Sequence, residues 1–466
     1  MRAVAGDARS AGPRLLPWRA EPDWPITVAL LGYPVWWLLG LAQVMPILMA
    51  VPMAFVLWRR RGRLVAPSGF GVWLFFVAWV VLGVLVLWAD APGAVPGGGA
   101  SRLLVFGWRL AWYLTFTIVL LYIGNLGERE LPSGKIGRLL GYMFVVTTAG
   151  GLLGSFLPGV QLTSAMELVL PHGLSSNSFI HSIVHPKTAE IDTILGFEQP
   201  RPMAPFAYAN TWGAAYAFFL PYFVLTWIVR AKPIRRVFGG LIVVASLWAV
   251  VYSLNRGLWI SLGVIGLFGI AKLVQVGGPR LIAWTGGAIL AGAIVVLLSP
   301  LPGLVQDRID NPHSNNRRSL LAEETTRSAL SGSPLVGFGS TRDVQGDLGQ
   351  VGGGALPGCK ACAPPPLGTQ GHIWLLIFAN GIVGTVAFCL FFLIRFALHW
   401  RDTSAYSIAG CCVLLACALF LFVYDLVEVP LYTVMIAVAL MWRAKRDART
   451  ENGRRAGRRP ALTEAA

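Results

Sequence analysis

The chain has 466 residues, of which 55% are hydrophobic and only 13% charged, and its mean hydropathy is +0.64. A soluble chain carries about twice that share of charge, so the composition excludes a free cytosolic enzyme, a secreted disulfide scaffold and a disordered tail. A net charge of +16 would suggest nucleic acid in a soluble protein, but among long apolar blocks Lys and Arg first report orientation, and no nucleic-acid partner is expected.

Residues 1–25 carry Arg2, Arg9, Arg14 and Arg19 among Pro, Gly and Ala and show no small-residue cleavage site. They predict a cytoplasmic tail followed by a retained first helix. The apolar run 26–58 is too long for one span and is broken by Pro34, Pro46 and Pro52, so it reads as two short helices with a turn near Gln43. Arg59, Arg60, Arg61 and Arg63 then mark the return to the positive side. Further blocks lie at 70–89, 103–123, 139–157, 206–228, 238–254, 258–274, 281–298, 372–394, 404–424 and 429–442. The expected fold is all-α, a polytopic transmembrane bundle of about 12 helices over 26–442, with a basic cytoplasmic tail at 443–466. Lys135/Arg138, Lys232/Arg235/Arg236, Lys272/Arg280 and Arg395/Arg401 all fall on the side of the termini, which the positive-inside rule makes cytoplasmic. Sorted this way, the whole cationic excess is inside and the outer face is nearly neutral.

Two outer loops are long, 158–205 and 299–371, and connections of that size carry function or disorder. In the second, Asn316–Leu330 reads as an amphipathic helix stopped by Gly332-Ser-Pro334, and 346–368 is Gly/Pro-rich and irregular. Cys359 and Cys362 form one Cys-x-x-Cys, half a zinc site at best and a better candidate for an outside disulfide. Cys389, Cys411, Cys412 and Cys417 fall inside apolar blocks and behave as small hydrophobes.

In a membrane protein, the informative side chains are charged or titratable ones that topology does not demand. Arg256, in the very short outer turn Ser253-Leu-Asn-Arg-Gly-Leu-Trp259, is the clearest; the plain alternative is a snorkelling arginine. Arg201 lies in a proline-stiffened approach to the sixth span, followed by Asn210, Trp212 and Gly213, of which the last two read as interfacial anchor and cap. His372 opens the tenth span, where a satisfied interfacial histidine is the ordinary reading. All three cluster at outer helix ends, where a bundle can gather them around one site. Two or three arginines suit a diphosphate, because the guanidinium fork binds its oxygens bidentately. A neutral imidazole then suits activation of an incoming hydroxyl. Metal ligation is not expected: Glu190-Ile-Asp192 is the nearest acidic pattern, and His181 and His185, at i and i+4, precede Pro186 with no third ligand apparent. No cofactor is implied.

The run Ser253–Trp259, then Asn316-Arg-Arg-Ser through Ser333-Pro-Leu-Val-Gly-Phe-Gly339, then Gly371-His-Ile-Trp374 with Asn380-Gly-Ile-Val-Gly384, resembles the O-antigen ligase and O-antigen polymerase family in order and spacing over about residues 200–395. The resemblance implies a GT-C-like membrane glycosyltransferase that moves a glycan from an undecaprenyl-diphosphate carrier to a glycan or lipid acceptor at the outer leaflet, without metal. Carried over by motif position, Arg256 and His372 are catalytic, and Arg201, Arg256 and Arg317 or Arg318 hold the diphosphate. Asn210, Asn255 and Arg342 are supporting candidates; family members often have Ser where this chain has Asn255, and the Gly-rich insert with its two cysteines departs from the general pattern. The rival readings are a transporter or flippase of lipid-linked glycans, which calls for two similar halves and midplane charges, and a metal-assisted polyprenyl-monophosphate sugar transferase, which calls for acidic residues in the first outer turn.

Overall fold

Backbone groups in an apolar medium must find their hydrogen bonds within the chain, and this sequence satisfies them as helices. The computed structural model describes residues 22–175, 178–192, 199–276, 313–345 and 365–457, with isolated positions 283, 286, 287 and 303. The first apolar run divides into α1 (Trp24–Leu31), α2 (Tyr33–Leu38) and α3 (Met45–Arg59), with the turn between α2 and α3 enclosing Gln43 as expected. Then follow α4 (Phe70–Leu82), α5 (Gly99–Asn125) and α6 (Ser133–Phe156). The first long loop contains short helices α7 (Ala165–Val169), α8 (His172–Ser175) and α9 (Ser178–Val184). It also contains an antiparallel hairpin, β1 (Ala189–Asp192) with β2 (Gln199–Pro202), which pairs Glu190 with Arg201 and which hydropathy gave no reason to expect. The chain continues through α10 (Ala209–Phe223, extended by a π-helical turn Val224–Val229), α11 (Pro233–Tyr252), α12 (Arg256–Val276), the amphipathic α13 (His313–Gly332), α14 (His372–His399), α15 (Ala405–Phe420) and α16 (Val429–Gly457).

Among the described residues, six helices are long and apolar enough to cross a membrane, and three more, Met45–Arg59, Phe70–Val86 and Ala405–Phe420, are apolar but shorter. The protein is therefore mostly helical and of multi-pass membrane type. The expected block 281–298 lies outside the described residues, as do Cys359 and Cys362.

The central element is α16. From Val434 to Met441 every residue is almost wholly buried, the mark of a helix that is apolar all round. It packs along α5, and α6 packs along α10. The helix also runs past residue 442, where the sequence suggested a tail: Arg443 is 0% exposed and donates to the carbonyls of Leu131 (2.7 Å) and Leu126 (3.3 Å), tying α16 to the connection between α5 and α6. Trp212 is likewise no interfacial anchor. It is completely buried, and its Nε1–H donates to the Thr147 carbonyl at 2.9 Å.

The block 372–394 is not one straight span. Gly381 adopts φ +64, ψ −172 inside α14, and the His372 and Phe388 rings stand 5.1 Å apart, whereas sixteen residues of straight helix would separate them by about 24 Å. The bend is filled by the segment Pro334–Gly339: Phe338 and Gly339 donate N–H groups to the carbonyls of Phe378 and Ala379, and Ile382 donates to Pro334, all at 2.8 Å. Two separated motifs thus form one joint. A Cβ on Gly381 would stand 2.2 Å from the Leu335 carbonyl oxygen and would have to hold a left-handed backbone that costs an L-residue about 1–2 kcal/mol. Gly381→Ala is expected to lower the melting temperature of the detergent-purified protein by several degrees; an unchanged melting curve would show that the joint yields freely.

Candidate functional site

The short turn between α11 and α12 is set by two devices. Leu254 takes a left-handed φ of +52, and Asn255 caps α12, its Oδ1 accepting from the Leu258 N–H at 2.9 Å. Together they present Arg256, half-buried, as the first residue of α12. Asn255 Nδ2 lies where a side chain on Gly213 would be, 2.5 Å from that imagined Cβ, so Gly213 is needed for α10 to approach the turn.

Arg201 reaches this turn from β2. It is only 4% exposed, and its Nε–H donates to the Ser253 carbonyl (3.0 Å) while Nη2 donates to Asn210 Oδ1 (3.1 Å). The expectation that Arg201 binds diphosphate directly therefore changes: its fork is turned inward and holds the backbone that presents Arg256. Asn210 serves as its acceptor.

On the other side of α12, a Cβ on Gly257 would stand 2.6 Å from the Tyr424 hydroxyl, so the arginine turn abuts the connection 421–428 between α15 and α16. That connection holds His372, whose backbone N–H donates to the Tyr424 carbonyl at 2.8 Å. The His372 side chain is 0% exposed, and neither ring nitrogen has a hydrogen-bond partner among the described residues. Buried polar atoms are nearly always paired, so two such nitrogens on one ring are unusual for a core residue. Arg318, on α13, sets its guanidinium carbon 5.9 Å from the Tyr424 ring centroid. Arg317 precedes it on the same helix, its side chain outside the described residues. Arg256, Arg318 and His372 are thus all gathered at Tyr424, whereas Arg342 serves elsewhere: it is 3% exposed and donates to the carbonyls of Ser340, Leu87 and Phe338, anchoring its own loop.

Four further residues complete the site. Asp425, exposed, faces Arg109, Arg318 and the N–H groups of Gln370 and Gly371, all of which favour its charged form. Arg109, in α5, donates through Nη2 to Thr341 Oγ1 at 3.2 Å, and its Nη1 has no partner among the described residues. Glu428 accepts from Trp108 Nε1 at 3.3 Å and, at φ +86, occupies strained backbone. Sequence reasoning passed over Arg109, Trp108, Asp425 and Glu428, although a cation inside the block 103–123 and two carboxylates between the last two blocks met its own criterion of charge not demanded by topology.

The three non-glycine residues with positive φ, Leu254, Gln370 and Glu428, each lie within this constellation. Left-handed backbone at non-glycine residues costs of order 1 kcal/mol or more each and collects at functional sites. No protein-family model, curated protein or solved structure matches the chain.

Glu428 gives the site a pH signature. Burial pushes its carboxyl up to about 8, with neighbouring Asp425 adding to the rise and the Trp108 hydrogen bond opposing it. Because the folded value lies above the unfolded one of about 4.3, the folded state retains the proton, and its stabilising effect is lost as pH rises from about 4.3 through 8. The melting temperature in detergent is expected to fall over that window, and Glu428→Gln should flatten the fall. An equal slope in both proteins would remove Glu428 as its origin.

Proposed function

We propose that the protein is an inverting, metal-independent glycosyltransferase of the O-antigen ligase or polymerase kind, transferring a glycan from a polyprenyl-diphosphate carrier to an acceptor hydroxyl at the outer leaflet of the cytoplasmic membrane. In this reading the chain makes about twelve spans with both termini cytoplasmic, and the 421–428 connection faces outward. The observation that carries it is a wholly buried histidine with two unpartnered ring nitrogens, set beside a turn that presents arginine and opposite a second arginine.

Arg256 and Arg318 hold the diphosphate, and Arg201 positions the Arg256 turn. His372 accepts the proton of the acceptor hydroxyl as its oxygen attacks the anomeric carbon. The new glycosidic C–O bond forms while the anomeric C–O bond to phosphate breaks, and the polyprenyl diphosphate departs with its charge already neutralised, so no general acid is needed. Asp425 and Arg109 fix the local field around the histidine. The composition of the envelope glycan in a deletion strain tests the reading. Unextended carrier-linked units would identify a polymerase and full-length polymer left on its carrier a ligase, whereas an unaltered glycan would refute both.

A further inference from the structure

Away from this site, three potential metal ligands meet in the first outer loop. Glu167, on α7, directs its carboxylate at His181 of α9 and at His185 just past its end: Oε2 lies 2.7 Å from His185 Nδ1, and Oε1 lies 3.6 Å from His181 Nε2. The donor atoms all lie within 4.8 Å of one another. Ligands about 2.0–2.2 Å from a tetrahedral zinc ion stand about 3.4 Å apart, a spacing these distances bracket. The third ligand that the sequence did not reveal is thus Glu167, which spacing alone does not connect to the histidine pair. Pro186 ends the helix at Val184, yet the His185 N–H still bonds the His181 carbonyl at 3.0 Å and the two rings stack on one face.

We propose that Glu167, His181 and His185 form a Zn²⁺ site that braces the outer loop. His185 Nε2 faces the Gln161 side chain at 3.4 Å while Nδ1 faces the carboxylate. A histidine that ligates metal through one ring nitrogen ordinarily has the other fixed by such an outer polar partner. The His181 ring stacks on that of His185 at 4.5 Å, which opposes two positive charges.

The ligands are also held in place without an ion. Ser164 caps α7 by accepting the Glu167 N–H at 3.1 Å, and behind α9 the Leu162 N–H donates to the Pro186 carbonyl at 2.9 Å. Three protein ligands leave one position for water. The metal would tie α7 to α9, and Ser182, between the two histidines, meets the Tyr208 hydroxyl at 2.8 Å, so the brace ends beside the helix that begins with the Arg201 acceptor. This role is architectural and involves no step of glycosyl transfer.

The test uses the full-length protein in detergent, stripped with chelator, reloaded with ZnCl₂ and desalted, with zinc measured by mass spectrometry and stability by thermal unfolding. One zinc per chain and a rise in melting temperature on loading are expected. Both should be lost in His181→Ala/His185→Ala and in the isosteric Glu167→Gln, and both kept in His172→Ala, which alters the same loop outside the cluster. Wild-type protein that retains no zinc, or a Glu167→Gln protein that retains as much zinc and gains as much stability as wild type, would overturn the assignment.

Discussion

If the proposed function holds, replacing His372 with alanine should abolish glycan transfer while the amount of protein in the membrane stays at the wild-type level. A positioned general base contributes about 10²–10⁴-fold, and the acceptor hydroxyl, the poor nucleophile of the reaction, has no other unpartnered nitrogen base at Tyr424 among the described residues. The stability side of the prediction is equally specific. The imidazole makes no hydrogen bond in a fully buried place beside Phe388, so its polar atoms weaken the fold and do not hold it together. His372→Phe, which keeps a planar ring and discards the orphan nitrogens, should therefore melt at or above the wild-type temperature and be as inactive as His372→Ala. Such a pair of results marks a residue kept for chemistry at the expense of stability. Transfer is followed in vitro from a polyprenyl-diphosphate-linked glycan, with abundance by immunoblot. Full transfer by either variant would end the assignment of His372 as the base.

Most of the helical layout follows from hydropathy alone, because a span must be both long and apolar, and those properties are local. The split of 26–58 around Gln43 is of this kind, and the amphipathic helix around Arg318 was legible from its pattern and the breakers that end it. What could not be read required contacts between distant segments. The fold-back at Gly381 depends on Pro334–Gly339 filling the bend, and a continuous apolar run carries no sign of that partner. The inward turn of Arg201 depends on the carbonyl of Ser253, fifty-two residues away, so residue type pointed correctly to the neighbourhood but not to the direction of the guanidinium. Trp212 shows the same limit: its Nε1–H reaches Thr147, so a tryptophan near the start of a span is a core residue here. Asp425 and Glu428 were accessible to sequence reasoning, since charge between two apolar blocks is costly, but their meaning rests on Arg109 and Trp108 from another helix.

Arg256→Lys should be nearly as damaging as Arg256→Ala, with each lowering kcat/KM by about 10²–10⁴-fold. That figure corresponds to two charge-assisted hydrogen bonds of about 1.5–3 kcal/mol each, lost from an anion whose charge grows as the carrier departs. Lysine keeps the charge but is a point donor, and it cannot span two phosphate oxygens as the planar fork does. Arg201→Lys provides the contrast. Its task is to bond the Ser253 carbonyl and Asn210, so this change acts by loosening the turn and should lower both the melting temperature and transfer. Salt separates a placed ligand from a general field. With the cationic excess assigned to the inner side, the outer face has little long-range attraction to screen, so raising ionic strength to about 0.15 M should alter wild-type transfer only slightly. If salt instead reproduced the Arg256→Lys defect, or if lysine restored full transfer, Arg256 would be acting as one charge among many and the bidentate diphosphate contact would be excluded.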